Sequence, residues 1–233
     1  MTVLTKLSLV SVVAATAVAT SASAALVAGW TITTAFPTGT GNVPTGMTYS
    51  VGAANDGLQT AGSQLRSVHA LAAATYTSPA GNGSQYSFSS NSWSTGDFYE
   101  ARLSTLGYSD ISISWDQCRS STGPATFELV MSTDGGTNFT TLLASYTVLQ
   151  SGGGGSPATW NTTTYNPIYS LNQAAAAADN QADVIFRFRS LVTAASSGSN
   201  RIDNVMIYSG PIPAPGAIAL LGVAGLAGLR RRR

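Results

Sequence analysis

Side chains able to do acid–base, nucleophilic or metal chemistry are few in this sequence and far apart. There is one histidine, His69, and one cysteine, Cys118. A Ser-His-Asp arrangement would have to use His69, yet no Gly-x-Ser-x-Gly elbow or comparable nucleophile context is present. The residue therefore reads as a polar side chain on or near a strand. One histidine and one cysteine argue against a zinc site of nitrogen and sulfur ligands. A lone cysteine allows no intrachain disulfide, and Cys118 reads as a small hydrophobe or inert thiol.

Carboxylates need no such company, because glycoside hydrolysis requires only two at a suitable separation. Asp97, Glu100, Asp116 and Glu128 are the available candidates, with a surface position as the default for each. Asp203 is more informative. It shares parity with Val205 and Ile207, which predicts that it points inward at the start of the last strand. A buried carboxylate must be paired, hydrogen-bonded or metal-bound. Hydrogen bonding to loop amides or an arginine is the leading expectation for Asp203, and a structural calcium site of oxygen ligands is the alternative. No other cofactor is implied. Trp93, Phe98, Tyr99, Trp160, Tyr165 and Tyr169 fall in or beside predicted loops, where flat rings either stack on sugars or pack the rim of the domain.

The elements that would hold these residues read as strands. In Ile111-Ser-Ile-Ser-Trp115 the apolar residues share one face and the serines the other. Phe127, Leu129 and Met131 repeat the pattern. So do Val184, Phe186 and Phe188, which places Arg187 and Arg189 outside. Further strands are predicted over 26–33, 67–75, 85–88, 98–103 and 140–148, with a last one through Val205 and Ile207. Thr133-Asp-Gly-Gly136 reads as a hairpin connection and Ser151 to Pro157 as a glycine loop. Residues 172–180, with five alanines behind Asn172, predict two helical turns. Eight to ten short strands make the chain all-β, an antiparallel β-sandwich.

The two ends differ from this middle. Lys6 precedes the apolar run Leu7 to Ala19, then Ala22-Ser23-Ala24 supplies small residues where signal peptidase reads them. Residues 1–24 are thus expected to be a signal peptide cut before Ala25, and residues 25–210 the exported domain. Outside the terminal segments there remain six basic residues against all ten acids, a charge of about −4. That excludes the basic footprint of a nucleic-acid partner. Residues 211–233 open on Pro-Ile-Pro-Ala-Pro215 and run without charge from Gly216 to Leu229 before Arg230, Arg231, Arg232 and Arg233. As a helix, Ile212 to Leu229 would span roughly 27 Å, marginal against a hydrocarbon core of about 30 Å. The predicted membrane helix covers about 216–229, and the arginines at 230–233 orient it by the positive-inside rule.

This tail resembles the PEP-CTERM sorting signal of bacteria with exopolysaccharide-rich envelopes. The resemblance lies in Pro213, Ala214, Pro215 and Gly216, the Gly/Ala/Leu-rich segment and the terminal arginines, with Ala214 standing where the family usually has Glu. It implies an exosortase, a membrane processing enzyme, as partner after signal peptidase. It also implies transient anchoring and then release to the cell surface or extracellular matrix. The second half of the domain is similar to jelly-roll modules of exported bacterial proteins, through Phe127-Glu-Leu-Val-Met-Ser-Thr-Asp-Gly-Gly136, Phe186-Arg-Phe-Arg189 and Arg201-Ile-Asp-Asn-Val205. Such modules include carbohydrate-binding and adhesive members, some with structural calcium. The leading expectation for function is a non-catalytic envelope or matrix protein. A carbohydrate-binding module acting on exopolysaccharide comes next, then a carboxylate hydrolase.

Overall fold

The computed structural model describes residues 24–36, 44–150, 160 and 169–210. The segment holding Ala22, the loop Ser151 to Pro157 and the sorting tail with Pro213 to Gly216 and Arg230 to Arg233 lie outside the described residues. Among those described, no helix is long and apolar enough to cross a membrane.

The alternating segments form twelve described strands: β1 Ala25–Trp30, β2 Thr48–Gly52, β3 Gln64–Val68, β4 Tyr76–Thr77, β5 Phe88–Ser90, β6 Phe98–Leu103, β7 Ser112–Arg119, β8 Thr126–Ser132, β9 Thr140–Thr147, β10 Tyr169–Ala174, β11 Val184–Ser190 and β12 Asn200–Ser209. They make two antiparallel sheets of six strands. The first has the order β10-β7-β12-β5-β4. In it β12 uses one side for β7 and divides the other between β5, at Asn200–Ile202, and β1, at Val205–Ser209. The second sheet runs β2-β3-β6-β11-β8-β9.

The inner faces meet in one apolar core. Ile113, Trp115, Phe127, Leu129, Met131, Val184, Phe186, Phe188, Val205 and Ile207 are all buried there, as their alternation predicts. Arg187, between the two buried phenylalanines, and Arg189, after the second, point outward. Aromatic rings tie the layers together: Trp115 on the first sheet lies 4.9 Å from Phe188 on the second, and Phe88 lies 5.2 Å from Tyr99. The β8–β9 hairpin forms at Thr133–Gly136. Asp134 organises it by accepting from the Thr137 and Asn138 amides and from the Ser132 hydroxyl. Those donors, led by the Asn138 amide, hold the Asp134 carboxyl down to about 2.

Several expected elements come out differently. β1 ends at Trp30 rather than residue 33, β3 ends at Val68 rather than 75, and β5 begins at Phe88 rather than 85. β2, β4 and β10 carry no clear alternation in the sequence; they exist because neighbouring strands offer them a ladder. The alanine run is not two helical turns. β10 takes it as far as Ala174, and only Ala176–Ala178 forms a single 3-10 turn. The small side chains let this segment close on the loop before β7: the Ala175 amide donates to the Ile111 carbonyl, and the Asp179 carboxylate accepts from the Ile111 amide. Tertiary contacts there override a strong helix propensity.

Candidate functional site

Asp203 is buried, but not on the predicted face. Asn204 adopts a left-handed backbone (φ 47°), and the β12–β7 register slips between Asp203 and Met206. This bulge inserts one residue and reverses the alternation. Ile202 therefore faces the core together with Val205, while Asp203 lies on the outer side of the first sheet, opposite Asp116 of β7. The loop 79–86 covers both carboxylates. Asp203 accepts from the Asn82 amide at 2.7 Å, the Ser84 hydroxyl at 2.5 Å and the Asn204 amide at 2.8 Å. Asp116 accepts from the side-chain amides of Asn82 at 2.8 Å and Asn204 at 2.7 Å. Gly81 permits this close cover, since a Cβ there would come within 2.6 Å of the Asp203 carboxylate. Burial pushes the Asp203 carboxyl up to about 6 against the pull of its three donors, and the Asp116 charge adds to the rise. Hydrogen bonding to loop amides, the leading expectation, is what the geometry displays. Among the described residues no group of three or more His, Cys, Asp or Glu is placed to hold a metal ion.

His69 sits in a constellation that sequence reasoning set aside. Its Nδ1–H donates to Asp97 at 3.0 Å, and its Nε2 lies 3.0 Å from the Ser67 hydroxyl and 3.1 Å from that of Ser90. Asp97 also accepts from the Ala70 and Ser94 amides. The chain of bonds continues from Ser90 to the Tyr99 hydroxyl, which donates to the Asn200 carbonyl. The connectivity is that of a serine nucleophile, base and orienting acid. Its surroundings are not. Ser67, His69, Ser90, Asp97 and Tyr99 are all buried, and the Trp93 ring packs edge-on 4.5 Å from the imidazole. No reacting carbonyl can reach either hydroxyl, so the group acts as a polar tie between β3, β5 and β6 across the two sheets. No motif announces it, because Ser67, Ser90 and Asp97 come from separate strands and a loop.

The remaining candidate carboxylates are held on the outer face of the second sheet. Glu100 on β6 is flanked by arginines from both neighbouring strands. Arg66 of β3 contacts it at 2.7 Å and Arg187 of β11 at 2.6 Å. The Arg187 guanidinium also lies 4.2 Å from the ring centres of both Phe98 and Phe139. Along the same face Arg189 pairs with Glu128 at 2.6 Å, and Arg102 makes a two-pronged contact with Asp183 at 2.7 Å. Asp97, Glu100, Asp116 and Glu128 thus have four different sets of partners, and none faces another across a cleft as glycosidase carboxylates do. Arg187 and Arg189 were legible from alternation. Arg66 and Arg102 join them only because β3, β6 and β11 are neighbours.

Of the aromatics expected near loops, Trp93 and Tyr99 are core residues and Trp160 is buried with its indole N–H on the Ala80 carbonyl. Tyr169 opens β10, and Tyr165 lies outside the described residues. Phe98 reaches the outer face of the second sheet, where it supports Arg187.

No protein-family model matches the chain, and no curated protein sequence matches it. Solved structures give distant likenesses. The K1 cleaved adhesin domain of Lys-gingipain from Porphyromonas gingivalis W83 is 16% identical, with 73% of this chain and 95% of that one covered at a TM-score of 0.39. The family 11 carbohydrate-binding module of a cellulosomal cellulase from Clostridium thermocellum is 10% identical over 72% of this chain and 98% of its own, with a TM-score of 0.38. A carbohydrate-binding module specific for non-crystalline cellulose is 13% identical over 58% and 80%, with a TM-score of 0.35. Likeness at this level carries no argument about what this chain binds, and the all-β assignment rests on the two sheets themselves.

Proposed function

We propose that this chain is an exported, non-catalytic envelope or matrix module that binds polysaccharide through the outer face of its second sheet. The Arg66–Glu100–Arg187 group carries the reading. It fixes two guanidiniums on one buried carboxylate, with that of Arg187 set against a pair of aromatic rings on the sheet face, an arrangement that packing of the core does not require. Such preorganised polar groups are what recognition of a hydroxyl- or carboxylate-bearing chain needs. The burial of both serines beside His69 supports the non-catalytic part. With the intact chain on an array of bacterial and plant polysaccharides, at least one polymer should be retained without being shortened. Steady release of oligosaccharides would overturn the non-catalytic reading.

Export is supported by the two ends of the sequence. Cleavage between Ala24 and Ala25 leaves β1 whole, because Ala25 is its first residue and pairs with Ser209. Removal of the tail near Pro215 by an exosortase-type enzyme leaves β12 whole in the same way, since that strand ends at Ser209. Mass spectrometry of surface protein should find an N-terminus at Ala25 and a C-terminus near Pro215. Surface protein that retains Leu220 to Arg233 would make the tail a permanent anchor.

Calcium at Asp203 belongs to the same reading as a structural ion. The oxygens gathered there, from Asp203, Asp116, Ser84 and the Asn82 carbonyl, are the ligand type a hard cation takes. A cation would also relieve two buried like charges. Chelation should lower the melting temperature of the wild type and leave that of Asp203→Asn unmoved; equal responses would remove the ion from the account.

A further inference from the structure

The outer face of the second sheet has a polarity that its net charge conceals. Four of the six arginines between residues 25 and 210 lie on it: Arg66, Arg102, Arg187 and Arg189. With Glu100, Glu128 and Asp183 the face sums to +1, while the two arginines and seven acids elsewhere in that stretch sum to −5. The carboxylates lie beneath the arginines. Side-chain exposure is 1% for Glu100 and 11% for Glu128, against 32% for Arg66, 23% for Arg187 and 41% for Arg189. Arg102 is the most exposed of the four, at 46% over the 29% of Asp183. One carboxylate, Glu100, holds two guanidiniums.

Two consequences follow from the chemistry of these groups. A guanidinium has five N–H donors and no acceptor, and its contact with a carboxylate occupies only some of them. What reaches solvent is therefore rich in donors and positive, while the acceptors that would complement sugar hydroxyls are hidden. A ligand whose outward groups are acceptors with negative charge fits this face better than one whose groups are hydroxyls. The donors are also spread along a line. β3, β6 and β11 are adjacent, so neighbouring rows stand about 4.8 Å apart, and Arg187 and Arg189 are separated by one strand repeat of roughly 6.8 Å. A linear polymer with regularly spaced anions can meet several of them at once, gaining avidity from individually modest contacts. At the end of this array the Arg102–Asp183 pair borders a cleft of about 570 Å³, lined also by Gln64 and Ser104.

We propose that this face binds acidic polysaccharide, with polymer carboxylates taking the outward donors of Arg66, Arg187, Arg189 and Arg102. The proposal rests on the polysaccharide-binding reading above and names its ligand class. The Arg187 guanidinium is held by Glu100 and by the rings of Phe98 and Phe139, so it is set before the ligand arrives.

The test uses the intact chain and four probes: polygalacturonate, the same polymer with its carboxyls methyl-esterified, a neutral β-glucan, and double-stranded DNA. Polygalacturonate should be bound, and the esterified polymer and the glucan at least tenfold more weakly. Arg66→Gln and Arg189→Gln should each weaken that binding about tenfold, the size of one lost charge-assisted contact, with each variant still unfolding cooperatively well above the assay temperature. Raising the salt from 50 to 500 mM should weaken it further, because contacts at an exposed face are screened. Equal binding of the esterified or neutral polymer would overturn the acidic class while leaving polysaccharide binding intact. Retention of none of the three would overturn the acidic class, and if no polymer of the wider array is retained either, polysaccharide binding falls with it. Wild-type affinity in both arginine variants would move the site elsewhere, and DNA bound as tightly as polygalacturonate would reduce the face to a non-specific anion surface.

Discussion

Truncating Phe188 to Ala is expected to cost about 3 to 5 kcal/mol of folding stability. The side chain is fully buried on β11, a central strand of the second sheet, and its ring packs 4.9 Å from that of Trp115 on the first. Its removal forfeits the transfer energy of a phenyl group and opens a void at the place where the layers touch. The void cannot close easily, because Phe188 is paired with Tyr99 of β6 on one side and Leu129 of β8 on the other, both on ladders that fix the backbone. Urea unfolding should show a lower midpoint with little change in slope. A loss under 1 kcal/mol would mean that the two sheets do not share the core described above. Arg189→Gln, one residue away but outward, should cost clearly less, because it opens no void between the sheets and Gln keeps a hydrogen-bond donor beside Glu128.

The second large effect is expected at His69. Replacing it by Ala should destabilise by about 3 to 5 kcal/mol, because it removes a buried polar partner and leaves a cavity at the same time. Asp97 would keep its two backbone donors, from Ala70 and Ser94, but lose the imidazole N–H while staying buried. Ser67 would lose the acceptor at Nε2, and Ser90 would lose one of its neighbours. The void would open against the Trp93 and Tyr76 rings, at 4.5 and 5.8 Å. His69→Asn keeps an N–H near the position of Nδ1 and should recover part of the loss. The comparison separates structure from catalysis. A catalytic histidine can be removed with large loss of turnover and little loss of stability, whereas this one should show the reverse. A His69→Ala protein as stable as wild type would require another role for the group.

Both effects depend on buried polar and aromatic groups meeting across the sandwich. The polar tie at His69 is costly if half-satisfied and specifying if complete. In the described structure each of its hydroxyl and ring nitrogen atoms has a partner, which suits a fold whose two sheets could otherwise slide over an apolar interface.

Period-two alternation was enough to read the strands that bury one face. Ile113, Trp115, Phe127, Leu129, Phe186 and Phe188 face the core as their spacing demands, and Arg187 and Arg189 face out, because the side-chain period of a strand is a local property. The Thr133–Gly136 turn was legible for the same reason: its glycines and Asp134 act on backbone atoms within four residues. Short-range chemistry stops there. β2, β4 and β10 have little pattern of their own and are strands because a ladder lies beside them. The alanine run lost its helix to contacts with Ile111, some sixty residues away. Asp203 is buried and hydrogen-bonded, as its parity with Val205 and Ile207 suggests, but it lies on the opposite face, since a bulge at Asn204 depends on pairing with β7 and leaves no periodic trace. The candidate sites were the least legible part. Residue types limited the chemistry, because one histidine and one cysteine leave few constellations to build. Only tertiary structure brought Ser67, His69, Ser90 and Asp97 into one buried cluster and aligned Arg66, Glu100, Arg102 and Arg187 across three strands. Strand order is set by how whole sheets bury their faces, which no window of sequence contains.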